Sequence, residues 1–182
     1  FILILKLSKI LPSVKTNKPK VFFGGARVGN IGGTLTKIKK LKKYFGESLF
    51  GFNIVYLMSN TPYLNSLNLL LINKLKIPII HNQNGLFYPS WYDGNCSIKN
   101  KQINKQYMKA NYIFFQSNFC KEISYKFLDK PKCTNSILYN SVDTKFYHPK
   151  SSNKIKSKDF SFLITGKFNY KLKDSLILSI LS

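Results

Sequence analysis

The chain has 182 residues, 44% of them apolar, enough for one full core with a short remainder. Its net charge of +22 rests on lysine, with Arg27 the single arginine, and this argues against base-specific nucleic-acid recognition by bidentate guanidinium forks. Cys96, Cys120 and Cys133 are odd in number and too scattered for a zinc knuckle, a redox pair or a disulfide framework, so a reducing, cytoplasmic setting is expected.

Lysine accompanied by frequent Asn, Ile, Phe and Tyr reads as a coding bias toward A/T-rich codons rather than a built patch. What remains is a general attraction to anionic surfaces, the inner face of a membrane among them. Residues 1–14 are apolar but interrupted by Lys6 and Lys9. They fall short of the roughly 20 residues that cross a bilayer, carry no cleavage-site pattern, and are expected to form an amphipathic helix.

Residues 21–23 read as a short strand ended by Gly24 and Gly25, and Leu35, Ile38, Leu41 and Phe45 recur at helical spacing over residues 34–45. A buried strand follows at 52–58, then a helix at 64–75 with Leu64, Leu67, Leu71 and Leu75 on one face. Residues 77–80 return as a strand, where Pro78 marks an edge position or a strand start. The pattern repeats with a helix at 101–109, a strand at 112–115, a helix at 117–128 capped by Ser117 or Asn118, and a strand at 137–139. Short strands alternating with helices predict βαβ units and a parallel α/β sheet.

Polar residues from 150 to 158 break the pattern, after which 160–165 reads as a strand ending at Gly166 and 172–181 as a helix. The expected organisation is a first domain over 1–150, a linker over 151–159, and the start of a second α/β domain over 160–182. A first residue that is not methionine and a last residue inside a helical pattern predict a fragment.

Three places carry chemistry. Gly24, Gly25, Gly29, Asn30, Gly32 and Gly33 lie between a strand and a helix, where backbone N–H groups can cradle an anion or simply turn the chain. The run His81-Asn82-Gln83-Asn84-Gly85-Leu86-Phe87-Tyr88-Pro89-Ser90-Trp91-Tyr92 joins amides, an imidazole and aromatic rings with little charge. That composition suits sugar hydroxyls and flat C–H faces. The plainer reading makes His81 a core histidine and Trp91 a packing anchor. The third place is Ile137 to Pro149, a strand end opening into Asn140, Ser141, Val142 and Asp143, then Phe146 and Pro149.

This last segment resembles the Asn-Gly-Val-Asp, then Phe and Pro, signature of glycosyltransferase family 4, with Ser141 where the family has glycine. The resemblance implies a GT-B enzyme built from two Rossmann-like halves, this chain being the N-terminal, acceptor-side half. It implies transfer of a sugar from a nucleotide-sugar to a glycan or lipid-linked acceptor with retention of configuration, without metal or other cofactor. Gly24, Gly25, Gly32 and Gly33 would lie near the donor diphosphate, joined by Lys167 or Lys171 from the second domain. His81 would be the catalytic histidine facing the donor sugar. Asn82, Asn84, Trp91, Asn140 and Asp143 would contact sugar or acceptor. The family's paired glutamates would fall beyond Ser182, so the chain alone is expected not to turn over.

Other chemistries lack their groups. The acidic residues Glu47, Asp93, Glu122, Asp129, Asp143, Asp159 and Asp174 never pair at ligand spacing, and no Asp-x-Asp or Gly-x-Ser-x-Gly motif occurs. Lys37, Lys39, Lys40, Lys42 and Lys43 make the first long helix basic, suited to anionic lipid or to a solvated outer face. The rival from another class is a non-enzymatic basic module that binds RNA or another polyanion through aromatics set between lysines.

Overall fold

Short apolar runs become strands here because they pair with neighbouring strands and are covered by helices, the condition under which parallel sheets form. A computed structural model describes residues 18–30, 33–59, 64–90 and 92–148. The elements are β1 Val21–Phe22, α1 Gly33–Phe45, β2 Ile54–Met58, α2 Ser66–Lys74, β3 Ile79–Gln83, α3 Cys96–Tyr107, β4 Tyr112–Phe115, α4 Asn118–Phe127 and β5 Thr134–Ile137. All five strands are parallel and lie in the order β1-β2-β3-β4-β5, a Rossmann-like α/β sheet with β3 at its centre.

Helix starts are set by side chains that accept backbone N–H groups left without helical partners. The Asn65 side chain accepts from Asn68 N at 2.9 Å, Asn95 from Ile98 N at 3.0 Å, and Ser117 from Cys120 N at 3.1 Å. The Asn95 cap starts α3 at Cys96, ahead of the expected 101. On α2 the most deeply buried residues are Asn68, Leu69 and Ile72, and of the expected leucine face Leu64, Leu71 and Leu75 join the core while Leu67 is exposed.

Two strands differ from the sequence reading. β3 begins just after Pro78 and runs on through His81, Asn82 and Gln83, because those residues pair with Leu57 and Met58 on one side and with Ile113, Phe114 and Phe115 on the other. β5 is Thr134–Ile137, earlier than 137–139, held by its register with Tyr112 through Phe115. Its polar composition hid it, since half-exposed edge strands need no apolar run. The expected helix at 1–14, the linker at 151–159 and the second domain at 160–182 lie outside the described residues. Residues up to Ser141 form one compact unit, and Val142 to His148 belong to another.

The faces of the sheet follow from side-chain alternation. One face presents Phe22, Val55, Leu57 and Ile79, which pack with Leu69 and Ile72 of α2, and continues through Ile113 and Phe115 against Ile103 and Tyr107 of α3 and Cys120 of α4. The opposite face presents Val21 and Met58, which pack with Ile38 of α1. Every connection advances the sheet in the same direction, so the crossover through α1 has the opposite hand to the three that follow. The chain therefore leaves β1 toward one face and β2 toward the other. That divergence opens a crevice outside their C-terminal ends, where open α/β sheets take ligands.

Ile113 is fully buried in β4, whereas Leu70 on α2 is 54% exposed. Replacing Ile113 with Ala should cost about 3 kcal/mol in urea unfolding, and Leu70→Ala less than about 0.5 kcal/mol. Equal midpoints for the two variants would contradict this placement of the core.

Candidate functional site

Polar side chains gather at the C-terminal ends of β1, β2 and β3. The turn after β1 has Ala26 N donating to Phe23 O at 3.0 Å across Gly24 and Gly25. Both glycines have positive φ, +63° and +77°. Gly24 is also close to β2, since a Cβ there would sit 2.6 Å from Leu57 Cδ2. A larger residue is therefore barred at Gly24 by both space and backbone conformation.

β2 contributes Tyr56 and the residue just past its end, Ser59. β3 contributes Asn82 and the residue just past it, Asn84. Asn82 Nδ2 donates to the Tyr56 hydroxyl at 2.9 Å, and Asn84 N donates to Ser59 Oγ at 3.0 Å. Burial, opposed by the Asn82 bond, raises the Tyr56 phenol to about 12, so it stays protonated. From α1, Lys37 reaches in and places its Nζ 3.5 Å from Asn82 Oδ1 and 3.3 Å from Asn84 Oδ1. Desolvation by burial lowers the Lys37 pKa, with the nearby Cys120 thiol opposing the shift.

His81 lies on the other face of β3. It is fully buried, its Nε2 lies 2.9 Å from Gln83 Oε1, and its ring meets Tyr107 edge-on with centroids 5.8 Å apart. Burial pulls its pKa down to about 4, partly offset by the Gln83 bond. These surroundings are those of the core-histidine alternative. The alternation that turns Asn82 toward Lys37 turns His81 under α3.

The loop after β3 is held by amides. Asn100 on α3 accepts from Phe87 N at 2.9 Å and donates to Phe87 O at 2.8 Å, while Gln83 Nε2 donates to Gly85 O at 2.9 Å. Phe87 and Tyr92 meet edge-on at 4.8 Å. Asn82 and Asn84 thus come together around Lys37, while Gly24 of the glycine turn lies against Leu57. Gly33 opens α1, and Asn140 is exposed beyond β5, two strands from β3. Asp143 lies in the second compact unit, where its Oδ1 accepts from Lys145 N at 3.0 Å and Phe146 N at 3.3 Å, a self-closed turn. Gly32, Trp91, Lys167 and Lys171 lie outside the described residues.

Lys37 is the member of the site that sequence reasoning missed. It was grouped with the other lysines of α1, and only the packing of Ile38 against β1 and β2 turns its neighbour inward. Among the described residues no three His, Cys, Asp or Glu side chains converge in a metal-binding group, and no helix is long and apolar enough to cross a membrane. Two hollows lie elsewhere. One of about 450 Å³ runs between α2 and α3, and one of about 340 Å³ sits at the N-terminal ends of β4 and β5, away from the polar cluster.

Acid should reveal the buried imidazole. An unfolded histidine titrates near 6.5, and His81 in the fold near 4, so the unfolded chain takes up the proton first. The contribution is complete above pH 6.5 and is lost as pH falls toward 4, in total roughly 3 kcal/mol. Urea midpoints of the wild type should fall more steeply over that interval than those of His81→Gln. Parallel curves would contradict a buried neutral ring.

No family model matches the chain, and no curated protein or solved structure matches it either. Its established character is a five-stranded parallel α/β sheet of Rossmann-like form with a lysine–amide cluster at the C-terminal ends of β2 and β3.

Proposed function

We propose that the chain is the acceptor-side domain of a retaining, metal-independent glycosyltransferase that moves a sugar from a nucleotide-sugar to a glycan or lipid-linked acceptor. The observation that carries this reading is the amide-rich, carboxylate-poor crevice formed by Ser59, Asn82, Asn84 and Lys37 at the sheet's C-terminal ends. Fixed amides and hydroxyls recognise sugar hydroxyls, and a cation there favours the phosphate that activated sugars carry. The likeness of Asn140, Val142, Asp143 and Phe146 to the family 4 signature supports the same reading. In it Asn82, Asn84, Trp91 and Asn140 serve sugar or acceptor binding, Asp143 shapes its turn, and His81 supports β3 from behind. Lys167 or Lys171 would add the donor-side cation.

Sugar binding can be read directly on this chain by saturation-transfer NMR with a panel of hexoses, hexosamines and nucleotide-sugars. Asn84→Ala should weaken the response several-fold through loss of one or two hydrogen bonds, and Leu70→Ala on the exposed side of α2 should leave it unchanged. Absence of saturation across the panel, with retention of single-stranded RNA instead, would replace the transferase reading with the polyanion-binding one.

Partners on a membrane follow from α1. Lys39, Lys40, Lys43 and Tyr44 are exposed on the helix, and Phe45 is half exposed at its end. A basic face edged by aromatic rings suits the anionic inner leaflet, where a lipid-linked acceptor would be met. Co-sedimentation with vesicles should rise with the fraction of anionic lipid and fall when Lys39, Lys40 and Lys43 are changed to Gln. Binding indifferent to lipid charge would remove the membrane from the proposal.

A further inference from the structure

We infer that Lys37 and Asn84 form a receptor for a phosphate group, seated at the C-terminal ends of β2 and β3 where Lys37 of α1 reaches them. The inference stands on the geometry of the cluster and holds whether or not the chain handles sugars. A lysine ammonium has three donors and is strongly hydrated in water. Lys37 is half buried, and the groups that replace its water are two neutral amide oxygens at the long distances of 3.3 and 3.5 Å. Among the described residues it has no carboxylate at ion-pair distance. Lys42, one turn further along α1, pairs with Glu47, and Lys39 bonds the Asn30 side chain. Of these three lysines only Lys42 has a counter-charge, and Lys37 is the one that is drawn in toward buried amides without one.

The neighbouring groups are poised for an anion rather than a cation. The Asn82 side chain is 1% exposed and committed at its Nδ2 to Tyr56, so its orientation is fixed. Asn84 is fixed through its backbone by Ser59, and among the described residues its own Nδ2 has no partner, leaving an amide donor beside the ammonium. Gly33 begins α1 one turn before Lys37 and the first turn holds no acidic residue, so the positive end of a 13-residue helix faces the same side. A tetrahedral oxyanion can accept from Lys37 Nζ and Asn84 Nδ2 together. Desolvation makes each contact stronger than it would be in open water.

The phosphate could arrive on a nucleoside diphosphate, on a sugar phosphate or on a lipid headgroup. The test uses the full chain with its lysines ¹³C-dimethylated, and inorganic phosphate as the probe against chloride at constant ionic strength. One lysine resonance, identified by its loss in Lys37→Gln, should shift saturably with phosphate and not with chloride. Lys40→Gln should leave that response intact. Asn84→Ala should weaken it at least tenfold, and Lys37→Arg should retain phosphate binding as seen by thermal shift. Uridine diphosphate, glucose 1-phosphate and phosphatidic-acid vesicles are then added separately, and whichever displaces phosphate identifies the source. A Lys37 resonance that answers phosphate and chloride alike, or no saturation by about 10 mM phosphate, where a millimolar site would be filled, overturns the inference. Because the wild-type resonance is read directly, a misfolded variant cannot mask the outcome. Phosphate binding without any sugar response would leave the receptor standing and the transferase reading refuted.

Discussion

Three consecutive polar side chains enter the interior on the central strand, and the rest of the architecture answers that constraint. His81, Asn82 and Gln83 are each at most 1% exposed, and a buried polar group without a partner costs on the order of 1–3 kcal/mol. His81 and Gln83 face one side and bond each other, and Gln83 also draws in Gly85. Asn82 faces the other side and meets Tyr56 and Lys37. The strand that carries the largest desolvation burden thus also fixes the loop above it and the helix beside it.

The hand of the first connection decides what that fixed strand is used for. Had α1 crossed on the same face as α2, α3 and α4, its lysines would have met solvent or the apolar core of Leu69 and Ile72. Crossing on the opposite face, α1 packs through Ile38 on Val21 and Met58 and delivers Lys37 over the edge of the sheet. The placing of Lys37 at the ends of β2 and β3 is therefore a product of topology. The charge there is a product of helical phase, since Lys37 neighbours the residue that anchors the helix.

Much of this fold can be read from the chain. Apolar runs at Val55, Ile79 and Ile113, the glycine pair after β1 and the Ser117 cap all announce themselves, because each follows from a local rule about burial or hydrogen bonding. β3 was harder. Periodicity stops at Ile80, and only pairing on both sides keeps His81, Asn82 and Gln83 extended. β5, with Thr134, Asn135 and Ser136, lacks a local signal for the same reason. In the site, Asn82 and Asn84 were legible from composition. The role of His81 depended on which face of β3 it took, and that parity is fixed by register with Leu57 and Ile113. Lys37 could not be told from its neighbouring lysines without the packing of α1. Asp143 was visible as a turn former, and its turn is what the structure shows.

Asparagine is what the composition supplies in quantity, and its side chain repeatedly takes the place of a peptide group. Asn53 accepts from Lys20 N at 2.8 Å and donates to Lys18 O at 3.3 Å, and Asn100 does the same to both backbone atoms of Phe87. Such a clamp needs a donor and an acceptor on one side chain. Hydrolytic loss of ammonia would leave an acceptor alone and set a negative charge against a carbonyl oxygen. At Asn53 or Asn100 that reaction would release the chain it holds. At Asn84, which precedes the unhindered Gly85, it would put a carboxylate beside Lys37 and fill the crevice with the molecule's own charge. The chemical ageing of this protein would thus be written in its asparagines, as slackened loops at two positions and as self-occupancy at a third.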